Sequence, residues 1–304
     1  MQYIKGKSFQ CGQSAVTLGK FDGIHQGHQL LLEAILADPS LTSVLFTFDL
    51  NPANLFSERE IRQILTNDER AWLLQETPLD LLIDYPFTME TANTSADTFL
   101  KTVLIDQLHA KKIVIGEDFR FGKNREGNAA FLAEHAGTYG YELTVLPKKT
   151  YLGEVISSTR IKDELEKGNM KAVREMLGRP YFLYGEIVHG KHLGNTVGMP
   201  TINQIIPAEK AVPPYGVYAA NIRLEGKTYQ GITNIGVKPT IEGSRKAGAE
   251  TWIFDFDWDV YGESAAVSLI HFIRPEQKFQ SLAEVKAQVD LDVREARRAF
   301  QEYS

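Results

Sequence analysis

One cysteine, Cys11, occurs in 304 residues. A disulfide within the chain is therefore impossible, and a cysteine-based metal cluster is excluded. Such sparing use of cysteine fits a reducing, cytoplasmic compartment. Long apolar runs are missing as well. No stretch approaches the roughly 18 consecutive apolar residues of a membrane span, so a transporter is set aside. The opening MQYIKGKSFQ lacks the apolar segment of a secretory signal. A basic excess is also absent: 33 Lys+Arg stand against 39 Asp+Glu, for a net charge of -6. That argues against a nucleic-acid partner with a broad binding surface, but leaves room for a local phosphate pocket. No G-x-x-x-x-G-K-[ST] pattern occurs, hence no P-loop, and there is no internal repeat.

What is present is globular in composition, 43% hydrophobic and 24% charged, and long enough for two domains. Strand-like segments at residues 14–18, 43–48, 79–85, 112–115 and 141–146 alternate with helix-like ones at 27–36, 67–75, 95–108 and 129–139. In 95–108, Phe99, Val103, Leu104 and Leu108 recur at helical spacing. Strands separated by helices predict a parallel sheet with crossover helices. Two short helices, 158–166 and 170–177, end at Gly178-Arg179-Pro180. Beyond Pro180 the pattern becomes short strands at 182–188, 216–223, 231–235, 250–258 and 265–272, punctuated by Gly and Pro. That predicts a small antiparallel sheet or barrel. Glu250 opens the 250–258 strand, and Asp255 and Asp257 are expected on its outer face. A charged helix over 281–300 closes the chain, with Arg294, Arg297 and Arg298 on a solvated face. The expected domains are residues 1–178 and 179–304.

The first chemistry-bearing stretch is GKFDGIHQGH, residues 19–28. It lies where a strand hands over to a helix, the place at which open α/β sheets bind ligands. A helix start offers free N–H groups and partial positive charge to a phosphate. Gly23 and Gly27 let backbone approach an anion. His25 and His28, three apart, face the same way and can donate to charge developing on phosphate. The plainer alternative is a capped helix with two surface histidines. Ser157, Ser158, Thr159 and Arg160 precede a helix and suit a triphosphate, or form an ordinary N-cap. Asp118, Phe119 and Phe121 sit on a loop after a strand, where an aromatic is either a stacking wall or core.

FDGIHQGH resembles the (H/T)xGH motif of nucleotidyltransferases, and more closely the FDGxHxGH form of bacterial FAD synthetases. GEDFRFGKNREGN (116–128), ISSTRIK (156–162) and GNMKAVREMLGRPY (168–181) are similar to that family's next signatures, in the same order. The resemblance implies a Rossmann-like α/β nucleotidyltransferase domain. In it Gly19, Phe21, Asp22, Gly23, Gly27, Ser157, Ser158, Thr159 and Arg160 would bind nucleotide, His25 and His28 would be catalytic, and Asp118, Phe119 and Phe121 would bind flavin. Asn51 stands where the family has a histidine, and an amide cannot be cationic. Lys162 replaces an arginine, keeping the charge without the planar fork.

The second stretch is HGKHLGNTVGMPTIN, residues 189–203. Pro200 favours extended chain, so Thr201 and Asn203 point to one side. A hydroxyl and an amide carbonyl are hard ligands suited to Mg²⁺. Gly190 and Gly194 give the loop freedom to wrap phosphates, or simply make a glycine-rich connection. This stretch resembles the G…G…GxPTAN motif of riboflavin kinases, with Ile202 for the alanine. PPYGVYAA (213–220), TNIGVKPTI (233–241) and AETWIFDFDWDVYGE (249–263) continue the likeness. It implies a six-stranded riboflavin-kinase-like barrel with Gly190 and Gly194 on nucleotide, Thr201 and Asn203 on metal, and Glu250 as catalytic base. Leu193 and Asn195 replace the family's two arginines. Together the resemblances imply a bifunctional riboflavin kinase/FAD synthetase that uses ATP and Mg²⁺, with riboflavin, FMN and FAD as substrates and products. The substitutions at Asn51, Leu193 and Asn195 motivate a reading with one activity only; a non-catalytic flavin-binding regulator is the other class.

Overall fold

The computed structural model describes residues 1–55, 61–188, 201–239, 245–256 and 260–303. Its contacts divide the chain into two units, Met1–Ser158 and Thr159–Ser304.

In the first unit β1 (Gln2–Lys5), β2 (Ser14–Leu18), α1 (Gln26–Leu36), β3 (Thr42–Phe48), α2 (Asn67–Leu74) and β4 (Leu81–Tyr85) come first. Two short helices, α3 (Met89–Ala92) and α4 (Ala96–Phe99), follow, then β5 (Ala110–Gly116), α5 (Ala129–Tyr139), β6 (Glu142–Leu146) and a small hairpin, β7 (Thr150–Tyr151) with β8 (Glu154–Val155). The main sheet has the order β1-β4-β3-β2-β5-β6, and every neighbouring pair is parallel. Parallel strands covered on both faces are near-continuously apolar; all five residues of β2 and the five inner residues of β3 are buried. The chain builds outward from β2 to β3 and β4, then returns to the other side of β2 with β5. The crevice outside the carboxyl ends of β2 and β5 is thus a topological switch point, where such sheets bind ligands.

The expected helix over 95–108 is there with a difference. After α4 the turns widen into a π-helix at Leu100–Gln107, and the Leu108 N–H reaches back to the Val103 carbonyl at 3.0 Å. Its apolar face is nonetheless the expected one: Phe99, Val103, Leu104 and Leu108 are all buried. The Thr66 side chain caps α2 in a capping box with Glu69, and Asn128 caps α5.

In the second unit α6 begins at the join (Ser158–Glu166) and is followed by α7 (Met170–Leu177). Then come β9 (Tyr181–Glu186), β10 (Thr201–Ile205), β11 (Gly216–Leu224), β12 (Lys227–Pro239), β13 (Arg245–Ile253), β14 (Ser264–Pro275) and α8 (Leu282–Glu302). These six strands form one antiparallel sheet in the order β10-β13-β12-β11-β14-β9. The sheet curls until its edges meet: Val188, just past β9, bridges Asn203 of β10, and the Gln204 amide donates to the carbonyls of Gly185 and Ala265, each at 2.8 Å. That curling is the expected barrel-like architecture.

Two expectations need correction. The strand expected at 250–258 runs instead from Arg245 to Ile253, so Glu250 lies within it rather than opening it. Asp255 is not on the strand's outer face; it sits in a turn at φ 54°. Pairing with β12 extends β13 through the small residues Ala247, Gly248 and Ala249, which carry little strand preference of their own. Asp257 lies outside the described residues. Helix α8 buries Ala296, Ala299 and Phe300 against Val217, Ala219, Ile232 and Phe254. Arg274 of β14 fastens it with a bidentate pair to Asp292, at 2.8 Å from both Nε and Nη2. Arg297 is exposed as expected, yet its guanidinium also lies over the Phe254 ring at 5.5 Å.

Candidate active sites

The turn after β2 is built on strained backbone. Phe21 and Ile24 are non-glycine residues at φ 47° and 43°, and both are buried. Such conformations persist only where the surroundings impose them. Here the buried Asp22 supplies two anchors: its Oδ1 accepts from the Ile64 N–H at 2.6 Å, and its carbonyl accepts from the Ser158 hydroxyl at 2.8 Å. Gly23 has φ 91°, and a Cβ there would come within 2.9 Å of Ile64. The Lys20 carbonyl takes a third bond, from the Thr47 hydroxyl at 3.2 Å.

His25 is the N-cap of α1. Its Nδ1 accepts from the His28 N–H at 3.3 Å. An accepting Nδ1 leaves Nε2 as the protonated nitrogen of the neutral ring. The two imidazoles stack with centroids 3.6 Å apart and 14° between planes, and Phe21 backs His28 at 4.9 Å. A Cβ at Gly27 would meet the His25 ring at 3.2 Å, so glycine leaves room for that ring. The motif therefore makes the cap and pairs the rings with the same two side chains.

Across the switch point, Asp118 follows β5 and pairs with Lys148 at 3.0 Å. Phe119 and Phe121 stack at 5.6 Å, and Phe121 packs on Phe99 and Phe131. Phe121 also pairs with Gly127 through two backbone hydrogen bonds, where a Cβ would strike its ring at 2.5 Å. Both rings are half-buried against the core, so core packing holds the pair. Asn51 uses its Oδ1 to accept from the Ala53 N–H at 3.1 Å, which shapes the turn after β3. Thr159, exposed, and Arg160, half-buried, continue α6 and belong to the second unit. Ser157 is half-buried.

In the second unit Thr201 and Asn203 lie on one face of β10, as expected. Asn203 is opposite Glu250 of β13, and the Thr201 hydroxyl donates to Glu250 Oε1 at 3.1 Å. Glu250 is in turn opposite Asn234 of β12. A polar rung, Asn203–Glu250–Asn234, thus crosses three strands. Gly190 and Gly194, with Leu193 and Asn195, lie outside the described residues.

Two family models match the chain, FAD synthetase over residues 8–160 and riboflavin kinase over residues 177–300. The chain is 34% identical over 292 residues to the bifunctional riboflavin kinase/FMN adenylyltransferase of Haemophilus influenzae, covering 94% of each chain. It is 35% identical over 291 residues to the Escherichia coli K12 protein of the same description, covering 94% of this chain and 92% of that one. The chain belongs to the bifunctional riboflavin kinase/FMN adenylyltransferase family. It is an enzyme of flavin cofactor biosynthesis, with an FAD synthetase domain and a riboflavin kinase domain.

A crystal structure from Streptococcus pneumoniae shares the architecture, with a TM-score of 0.84 and 30% identity, covering 97% of this chain and 98% of that one. That protein is described as a macrolide-efflux protein; among the described residues here, no helix is long and apolar enough to cross a membrane. The FAD synthetase match stops at residue 160 and the riboflavin kinase match starts at 177, so most of α6 and α7 falls between them. By packing, α7 goes with β9 and β14 of the second unit.

Part of the family's first domain was silent in the sequence. Arg70 of α2 and Asp84 of β4 form an ion pair at 2.6 Å with both side chains 1% exposed, and the Tyr3 hydroxyl also donates to Asp84. Burial, then that bond to the carboxylate, pushes the Tyr3 phenol well above its usual value. Arg70 reaches Asn67 at 3.0 Å, and Asn67 donates to the Asp49 carbonyl at 2.7 Å. The buried pair thereby braces the chain that leads from β3 to Asn51.

Proposed function

We propose that this chain converts riboflavin to FAD in two steps, one on each domain. In the riboflavin kinase domain the γ-phosphoryl group of ATP passes to the ribityl hydroxyl of riboflavin. Glu250 takes the hydroxyl proton. Its carboxylate is held for that task by the Thr201 hydroxyl. Phosphoryl transfer asks for little covalent help, so positioning and charge neutralisation provide most of the rate. The donor set of Thr201, Asn203 and the neighbouring carboxylate is all hard oxygen, and the Thr201 oxygen keeps lone pairs while it donates to Glu250. These residues fit Mg²⁺; Thr201 and Asn203 would hold it, and the bound ion would neutralise phosphate charge.

In the FAD synthetase domain an FMN phosphate oxygen attacks the α-phosphorus of a second ATP. The bond from that phosphorus to the bridging oxygen breaks, and pyrophosphate leaves. His25, donating from Nε2, and His28 stabilise the charge that builds on the α-phosphate, with the positive end of the α1 dipole behind them. Gly19, Phe21, Gly23 and Gly27 shape the nucleotide cradle. Asp22 and Ser158 serve it through the backbone of the turn, and Ser157, Thr159 and Arg160 supply further phosphate contacts. Asp118 and Phe119 border the flavin, with Phe121 supporting Phe119. The same reading makes this a cytoplasmic enzyme with small-molecule substrates, in keeping with a single cysteine.

The observation that carries the reading is that both polar groupings are intact in one chain: His25 on His28, and Thr201 on Glu250. Incubation with riboflavin, ATP and Mg²⁺, with the flavins resolved chromatographically, tests it. FAD is the expected product. FMN alone reduces the chain to its kinase, and no conversion of riboflavin or of added FMN sinks the reading.

A further inference from the structure

Beside the polar rung lies a step without side chains. Two residues along from the Glu250–Asn234 pair, and therefore on the same face, Gly236 of β12 is opposite Gly248 of β13. Over this step stands Glu276, the first residue after β14. Its Oε1 lies where a Cβ at Gly236 would be only 2.1 Å away. It accepts from the Asn234 side-chain amide at 3.3 Å. Glu276 is exposed and reaches back onto the sheet from 42 residues along the chain. The glycine makes room for that carboxylate, and the amide fixes where it points.

The result is a floor of bare backbone bordered by Glu250, Asn234 and Glu276. Such a floor takes a narrow chain lying flat, and its rim offers acceptors at intervals, which complements a row of hydroxyls. We propose that Glu276 is a specificity-determining residue of the kinase site, accepting hydrogen bonds from the inner hydroxyls of the ribityl chain beside the one that Glu250 deprotonates. It selects substrates with a polyhydroxylated side chain. This rests on the kinase reading of Glu250.

The test compares riboflavin with a flavin whose five-carbon side chain keeps the terminal hydroxyl and lacks the inner ones. Both are assayed for phosphorylation by the full chain, with adenylylation of added FMN measured on each preparation. Wild type prefers riboflavin in kcat/KM, and Glu276→Ala loses about ten- to hundredfold of that preference, the range for hydrogen bonds to a charged group. The loss falls mainly on the KM for riboflavin. Glu276→Gln keeps part of it, because its amide oxygen still accepts. Gly236→Ala, whose Cβ displaces the Glu276 carboxylate, behaves like Glu276→Ala. Adenylylation of FMN is unchanged throughout, and phosphorylation of the flavin without inner hydroxyls at the wild-type rate certifies the fold of the kinase unit. The proposal is overturned if Glu276→Ala retains the wild-type preference, or slows both flavins equally. If wild type phosphorylates neither flavin, the kinase reading falls and takes this proposal with it, an outcome distinct from the other two.

Discussion

The two sites of this chain are held by different means. The turn after β2 keeps Phe21 and Ile24 in left-handed backbone and ties them down through the buried Asp22. The rung on the second sheet needs no unusual backbone: Asn203, Glu250 and Asn234 face one way because antiparallel register puts them opposite one another. One site stores strain and depends on a buried anchor, Asp22. The other inherits its geometry from strand pairing, and on the proposed reading its chemistry lies in Glu250 and the side chains beside it. Substitutions away from the reacting groups should therefore hurt adenylylation more than phosphorylation.

The largest expected effects separate the two chemistries. Glu250→Gln removes the base and should slow riboflavin phosphorylation by about 10²–10⁴-fold, while added FMN is still adenylylated. His28→Ala should do the converse, slowing FMN adenylylation by about 10²–10³-fold and sparing phosphorylation. Both rates are read on one preparation of each variant. If either substitution lowers both rates in a folded protein, the division of labour is wrong.

The contrast also explains what the sequence disclosed. The parallel sheet, the helix at residue 26 and the histidine turn were legible because each is written in contiguous residues: apolar runs, a cap, two glycines around two histidines. Strand β1 was missed because QYIK is short and half-exposed at the sheet edge. The bounds of β13 were missed because RKAGA becomes strand only through β12. Arg70, Asp84 and Tyr3 meet from a helix and two strands, and Glu276 meets Asn234 from another strand's end. No local pattern announces such meetings. The paired histidines and Asp22 could be named from the motif, whereas Ile64, whose N–H anchors the turn through Asp22, could not.

Next in size is the buried pair. Arg70→Met leaves the Asp84 carboxylate in the core with only neutral help from Tyr3. Stripping one partner from a buried pair costs about 3–5 kcal/mol. Denaturant unfolding should show that loss in the first unit, with riboflavin phosphorylation surviving in denaturant concentrations where adenylylation has gone. Replacing both, Arg70→Met with Asp84→Leu, should recover much of the stability. A double variant no better than the single would mean that the charges themselves are needed there. Asp22 should give a smaller effect of the same kind. Asp22→Ala breaks the bond to Ile64, worth about 1–3 kcal/mol for a buried acceptor of this sort. Adenylylation should fall about ten- to hundredfold, and Asp22→Asn, whose amide oxygen still accepts, should restore most of it. Equal losses in the Asn and Ala variants would show that the Asp22 charge acts on the nucleotide directly.

The smallest effect should come from Asn51→His. Asn51 spends its carbonyl oxygen on the Ala53 N–H, so its present duty is to shape a turn. A protonated imidazole gives up that acceptor, because both its nitrogens then donate, and offers a charged donor on the phosphate side. Hydrogen bonds from a charged donor exceed neutral ones by about 1 kcal/mol, so the gain in adenylylation should be roughly fivefold. The sign with pH follows from protonation. The introduced ring is cationic below its ordinary pKa of about 6.5, so the gain is present at pH 6 and shrinks towards pH 8. The ratio of variant to wild-type kcat/KM for FMN, measured across that range, is the quantity to follow. A ratio that is flat with pH would mean that no phosphate comes near this turn, and that the histidine pair on α1 neutralises the substrate without help from the end of β3.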